Sequence, residues 1–252
     1  MNSNVICLSV FGGVFGAALV AMRLRAALPQ GHLSEVTKDT VKLAMGLVAT
    51  MTALVLGLLV ASTKASYDTQ KNELTEMAGK IIYLDRLLVG YGPESAPARK
   101  LLRHAVERVI RRMWPDEKAG SVSPPDPTVG GTDTVTDAIY QLAPQTDAQR
   151  AAKSEAQQLI GEVGQMRWLL FEQEDSSISM PMLGIVICWV AMLFVSFGLF
   201  APANGTAVSA LLVAALSVSG AIFLILELDH PFDGVIHISS QHMRASLAHL
   251  GE

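Results

Sequence analysis

Hydrophobic and polar positions are segregated on two scales along this chain. On the coarse scale, four runs contain no Asp, Glu, Lys or Arg: Val5–Met22, Leu43–Ala61, Met182–Phe200 and Ala207–Leu226. Each is about 18–20 residues long, enough to cross roughly 30 Å of hydrocarbon as a helix. Two precede and two follow a segment that holds most of the charge, Lys64–Met180. The pattern predicts an integral membrane protein in four parts. Residues 1–63 hold transmembrane helices 1 and 2, and 64–180 form a helical extramembrane head. Residues 181–227 hold helices 3 and 4, and 228–252 form a C-terminal tail. The first run is expected to be retained and not cleaved as a signal peptide. Met1–Asn4 carries no side-chain charge, and Arg23 and Arg25 stand where a small-residue cleavage site is expected.

On the fine scale, apolar residues recur at three and four. Past the second run they fall at Leu74, Met77, Ile81, Leu84, Leu88 and Tyr91, a heptad seam of the coiled-coil type. No proline interrupts Leu43–Tyr91. The second membrane helix is therefore expected to leave the membrane unbroken, as one helix of about 45–49 residues and roughly 70 Å. Ser34-Glu35-Val36 and Lys38-Asp39 suggest a helical lead-in before it. Gly92-Pro93 ends it. Glu94–Met113 is predicted as a helix with Leu101, Leu102, Ala105, Val106, Val109, Ile110 and Met113 on one face and arginines elsewhere. Residues 116–132, rich in Pro, Gly, Ser and Asp, read as a flexible loop. A short helix follows at Thr134–Leu142. Thr146 with Gln149 makes a capping box for a long helix whose seam runs Ala152, Ala156, Leu159, Val163, Met166, Leu170. That seam is expected to pack against the one after the second membrane helix. Ala201–Thr206 is a tight turn between the last two spans. Gly12 and Gly16, four apart, are candidates for close helix approach. The predicted fold class is all-α.

Composition narrows the functional field. Hydrophobic residues make up 50% and charged residues 17%, with a net charge of −4 that suggests no nucleic-acid partner. Cys7 and Cys188 lie inside apolar runs, so neither a disulfide framework nor a thiolate metal site is expected. No nucleotide-binding, nucleophile-elbow or zincin motif is present, so no enzyme, cofactor or metal centre is predicted. His230, His237, His242 and His249 have irregular spacing and read as surface residues. Charges beside membrane ends are the better candidates for a juxtamembrane ion or gating site: Lys64, Asp68 and Glu73 after the second helix, Glu227, Asp229 and Asp233 after the fourth, with Lys64, Asp68, Asp229 and Asp233 the residues selected. The competing explanation is solvated helix ends, with Lys64 and Asp68 paired at i,i+4. Arg23, Arg25, Lys38 and Lys42 on one side of the membrane nearly balance Lys64, Lys71, Lys80, Arg167 and Arg244 on the other, so charge leaves the orientation open.

Two sets of residues carry a family resemblance. One comprises Gly57-Leu58-Leu59-Val60-Ala61, Lys64, Ser66-Tyr67-Asp68, Gln70, Glu73-Leu74, Met77-Ala78, Lys80, Leu84-Asp85-Arg86 and Tyr91-Gly92-Pro93-Glu94. The other is Leu226-Glu227-Leu228-Asp229 with Pro231-Phe232-Asp233-Gly234. Together they resemble bacterial membrane proteins with a bestrophin-like domain. The resemblance implies a pentameric anion channel of the inner membrane, with the second helix lining the pore and a cytoplasmic head. Bestrophins follow Pro-Phe-Gly with an acidic, calcium-binding run. Here Asp233-Gly234 stands in its place, so calcium binding is not implied. Extending the heptad register back into the membrane names Gly46, Ala49, Ala53, Leu56 and Val60 as pore-lining candidates. The partners expected are the lipid bilayer, ions and further copies of the chain. The rival reading is a non-conducting oligomeric scaffold or sensor that binds a partner through its helical head.

Overall fold

The computed structural model describes residues 3–25, 35–114, 132–172, 180–232 and 234–250. The loop expected at 116–132 falls almost wholly outside them, and so does Asp233. Every regular element among the described residues is helical. Apart from a short 3-10 helix at Pro93–Ser95, they are α1 (Ser3–Leu24), α2 (Glu35–Tyr91), α3 (Ala96–Met113), α4 (Thr132–Tyr140), α5 (Asp147–Glu172), α6 (Met180–Phe200), α7 (Gly205–Leu228) and α8 (Gln241–His249). Four of these, α1, α2, α6 and α7, are long and apolar enough to cross a membrane.

The second helix is longer than its apolar run requires. It has 57 residues, about 85 Å at 1.5 Å per residue. The extra length at its start is the polar lead-in. There Lys38 pairs with Glu35 at 2.8 Å and Lys42 with Asp39 at 3.4 Å, each one turn apart.

The chain divides into two compact units. One comprises residues 1–67, 176–230 and 234–236; the other comprises 68–175, 231–233 and 237–252. In the first unit, α1 presents Val10, Val14, Ala18 and Met22, spaced at four, to Leu183, Val186, Val190 and Phe194 of α6 and to Leu211, Ala215, Ile222 and Ile225 of α7. α6 packs tightly on the backbone of α1 at Gly198. A Cβ at Gly198 would overlap the backbone carbonyl of Ala18. The glycines expected to fill this role, Gly12 and Gly16, have open space where a side chain would go. Small size permits close approach, but the crossing point is fixed by the neighbouring helix, and it falls higher on α1. Arg25 donates to the Ala201 carbonyl at 2.6 Å, satisfying an end carbonyl that α6 leaves unpaired. Asn204 caps α7, its side chain accepting from Ala207 N at 2.8 Å.

In the second unit the whole heptad seam is buried, with Leu74, Met77, Ile81, Leu84, Leu88 and Tyr91 each no more than 3% exposed. Gly92 reverses the chain at φ 122°, a left-handed value that only glycine adopts without strain. Ser95 then ties the reversal down, donating to Leu88 O at 2.5 Å and Gly92 O at 2.7 Å. Beyond it α3 buries Ala98, Leu102, Val106, Ile110 and Met113. The capping box forms at the start of α5. Gln149 N donates to Thr146 Oγ1 and Thr146 N to Gln149 Oε1, both at 3.2 Å. The α5 seam is largely buried, and polar ties join α5 to α2. Lys80 bonds Glu162 at 2.9 Å, Tyr83 bonds Glu155 at 2.6 Å, and Gln149 donates to Tyr91 O at 2.9 Å.

Candidate functional site

The most distinctive surface in the first unit belongs to α2. One arc of the helix is packed: Leu59 lies in the core, and Val55, Leu56 and Val60 rest against it. Thr52 and Thr63 are buried on the same arc. Their hydroxyls donate back to Val48 O at 2.7 Å and Leu59 O at 3.0 Å, so neither polar group is left unpaired among apolar neighbours. The opposite arc is exposed. Only 11% of the most apolar window of α2 is buried, against 22% for α1, 33% for α6 and 28% for α7. Of the four spans, α2 therefore keeps most of its apolar surface for something outside the protomer.

That open arc carries two kinds of residue. Gly46, Thr50, Ala53, Gly57 and Ala61 form a small-residue stripe, all exposed. Leu43, Leu47, Met51, Leu54 and Leu58 form a bulky stripe, each at least 49% exposed. At about 100° per residue the two stripes lie roughly 80° apart around the helix. The five positions named by heptad extension lie along the border between the two arcs. Gly46 and Ala53 are exposed, Ala49 is half-buried, and Leu56 and Val60 pack on the protomer's own core.

The juxtamembrane charges are also placed. Lys64 is exposed, with its ammonium 5.3 Å from the centre of the Tyr67 ring, within cation–π range. Asp68, one turn further along α2, is half-buried. Asp229, at the end of α7, has a fully buried side chain, and His230 Nδ1 lies 3.9 Å from its carboxylate.

Glu227, one of the acids noted after the fourth span, has a role that sequence reasoning did not foresee. It is 4% exposed, and its Oε2 accepts from Val235 N at 2.6 Å and Ile236 N at 3.3 Å. Gly234 stands against it at φ 86°, where an added Cβ would lie 2.5 Å from Glu227 Oε2. The available signal was a glycine seven residues after the first acid of the tail, at a position that needs both a left-handed backbone and no side chain.

In the second unit, Trp114 organises the Pro231-Phe232 segment. Its indole N–H donates to Ile238 O at 2.7 Å, its ring meets Phe232 edge-on at 5.8 Å, and Ile238 N returns a bond to Pro231 O at 2.7 Å. Asp85 is 5% exposed and takes a two-pronged bond from Arg99 at 2.8 and 3.0 Å, which holds the Arg99 guanidinium above its ordinary pKa. Glu162 is held below the ordinary carboxylate value by its hydrogen bond from Lys80, with Gln158 assisting.

Four apolar spans and a helical unit built on an extension of one of them define an all-helical, multi-pass membrane protein. More narrowly, the chain belongs to the bestrophin-like family: the family model for the Bestrophin-like domain matches residues 12–243. No curated protein and no solved structure matches the chain.

Proposed function

We propose that this chain is the protomer of a homo-oligomeric ion channel of the bestrophin type, in a bacterial inner membrane, with α2 nearest the axis. The observation that carries the reading is the open arc of α2, apolar for the length of the span and left uncovered by α1, α6 and α7. In this arrangement the small stripe, including the candidates Gly46 and Ala53, faces the axis. The leucine stripe packs against the next copy. A narrow apolar lining of this kind can gate by dewetting. Lys64 and Asp68, one turn apart where α2 emerges, stand at the mouth. Family membership supports an anion as the conducted species and a cytoplasmic head.

The test is ion flux. Purified protein in liposomes is assayed for chloride and sodium permeability as wild type and as Ala53→Trp. Chloride flux above empty liposomes, reduced by the tryptophan, is the expected result. No flux from correctly assembled protein removes the channel and leaves the scaffold reading. The orientation has its own check. A cysteine at Ser123 should resist a membrane-impermeant thiol reagent applied from the periplasm.

A further inference from the structure

Within the second unit, one side of α2 borders a cleft that the channel reading leaves unused. Ile82, Asp85, Arg86 and Val89 fall at i, i+3, i+4 and i+7, so they share one face of the helix. With His249, the last residue of α8, and Leu250 after it, they line a cleft of about 260 Å³. The wall at the end of α8 is fixed. Leu250 is 2% exposed, its N–H donates to Ser246 O at 3.2 Å, and its carbonyl accepts from Arg103 Nη1 of α3 at 3.2 Å. The buried polar wall is fixed as well, because the two-pronged bond from Arg99 holds the Asp85 carboxylate.

The lining divides by chemistry. Ile82, Val89 and Leu250 supply aliphatic surface. Asp85 brings a negative charge that Arg99 already matches. Arg86 and His249 remain. Both are exposed, and neither side chain makes a hydrogen bond or ion pair with another described residue. The α3 arginines that hold this cleft together differ in this respect, since Arg99 pairs with Asp85 and Arg103 with Glu107. A guanidinium stays charged at any pH the protein meets, and its planar fork fits a carboxylate through two parallel bonds. One unmatched charge beside a neutral pair suits a monoanion. A dianionic phosphate would set a second negative charge next to Asp85. Volume limits the size of the occupant: at roughly 30 Å³ for each water-sized group, the cleft holds about nine of them.

We propose that this cleft binds a small organic monocarboxylate, with its carboxylate on Arg86 beside His249 and its apolar body against Ile82, Val89 and Leu250. An apolar wall with a few convergent polar groups is the ordinary make-up of a small-molecule site. Binding here goes beyond the channel reading and holds whether or not the chain conducts.

The experiment titrates full-length protein in detergent with para-fluorobenzoate and follows the width of its fluorine resonance. The line should broaden saturably, beyond what protein-free micelles produce. Arg86→Gln should raise the Kd at least about tenfold, the loss expected for a charge-assisted contact. Val89→Trp, at a position 50% exposed, crowds the cleft and should raise it too. Both changes are at the surface, so helicity and melting temperature should match wild type. para-Fluorobenzyl alcohol, the same body without the charge, should not saturate. Phenyl phosphate should displace the probe less well than benzoate does. Absence of saturable broadening, wild-type affinity in either variant, or equal binding of the alcohol would overturn the proposal. Better displacement by phenyl phosphate than by benzoate would overturn the assignment to a monocarboxylate.

Discussion

Gly198→Ala tests the packing of the membrane bundle with the smallest possible perturbation. The added methyl would overlap the Ala18 carbonyl oxygen and lie 2.9 Å from its carbonyl carbon and 3.0 Å from its Cα, all inside the 3.4 Å of ordinary contact. Every one of these atoms is backbone, so no rotamer change relieves the clash. α1 and α6 must separate, and the Ala18 neighbourhood, 0% exposed, opens with them. Overpacking of this kind costs about 1–3 kcal/mol. Alanine for glycine inside a helix returns up to about 1 kcal/mol through propensity. The net expectation is a loss of about 1–2 kcal/mol. Unfolding by dodecyl sulfate in mixed micelles, followed by far-ultraviolet circular dichroism, measures it. Gly184→Ala is the control. It lies on the same helix, gains the same propensity, and meets nothing within 4 Å. Ala18→Gly added to Gly198→Ala should not restore stability, because it removes a Cβ that is not among the clashing atoms. If Gly198→Ala unfolds at the same detergent fraction as Gly184→Ala, the helices do not cross at this point.

Other positions make different demands. Ala78→Pro, at a buried site in the interior of α2, should cost roughly 3 kcal/mol or more and abolish assembly; an unchanged melting temperature and oligomer would show that α2 is not continuous there. Asp85→Ala leaves Arg99 without its partner, so thermal melts of both single variants and the double variant should give a coupling of about 1–3 kcal/mol, and additivity would refute the pair. Glu162 is held below its ordinary value, so its bond to Lys80 stabilises in full above the unfolded value of about 4.3 and fades as the pH falls through the lower folded value. The stability gap between wild type and Glu162→Gln should therefore narrow on acidification across that range. A gap independent of pH would show that the carboxylate charge is not what stabilises.

Legibility in the sequence followed the strength of the physical constraint. The spans were plain because hydrocarbon excludes charge over a fixed length. The extension of α2 was plain because water on one side and packing on the other force Leu74, Met77, Ile81, Leu84 and Leu88 into a seam. Gly92-Pro93 and the Thr146–Gln149 box were plain because turns and caps demand specific residues. Inside the membrane the same logic fails. A span apolar all round has no polar face to mark its outer side. Heptad extension therefore named Leu56 and Val60 together with Gly46 and Ala53, and the fold packs the first two on the protomer's core while leaving the other two exposed. Gly198 was indistinguishable from Gly12 and Gly16 for the same reason. The role of Glu227 was hidden because it depends on amides eight and nine residues ahead, which only the folded turn brings back to it.

The fit between Glu227 and Gly234 also bears on how sequences of this kind can drift. The carboxylate occupies the space a side chain at 234 would fill, so the two sites are not free to change independently. Any residue larger than glycine at 234 displaces the acid, while loss of the acid strips Val235 and Ile236 of their acceptor and removes the steric, though not the backbone, requirement at 234. Substitutions at these positions should therefore travel as a pair through the lineage. A homologue that retains one and not the other has either rebuilt this turn or lost it. That makes the pair a compact diagnostic for sorting remote relatives, even those whose Pro-Phe residues have diverged.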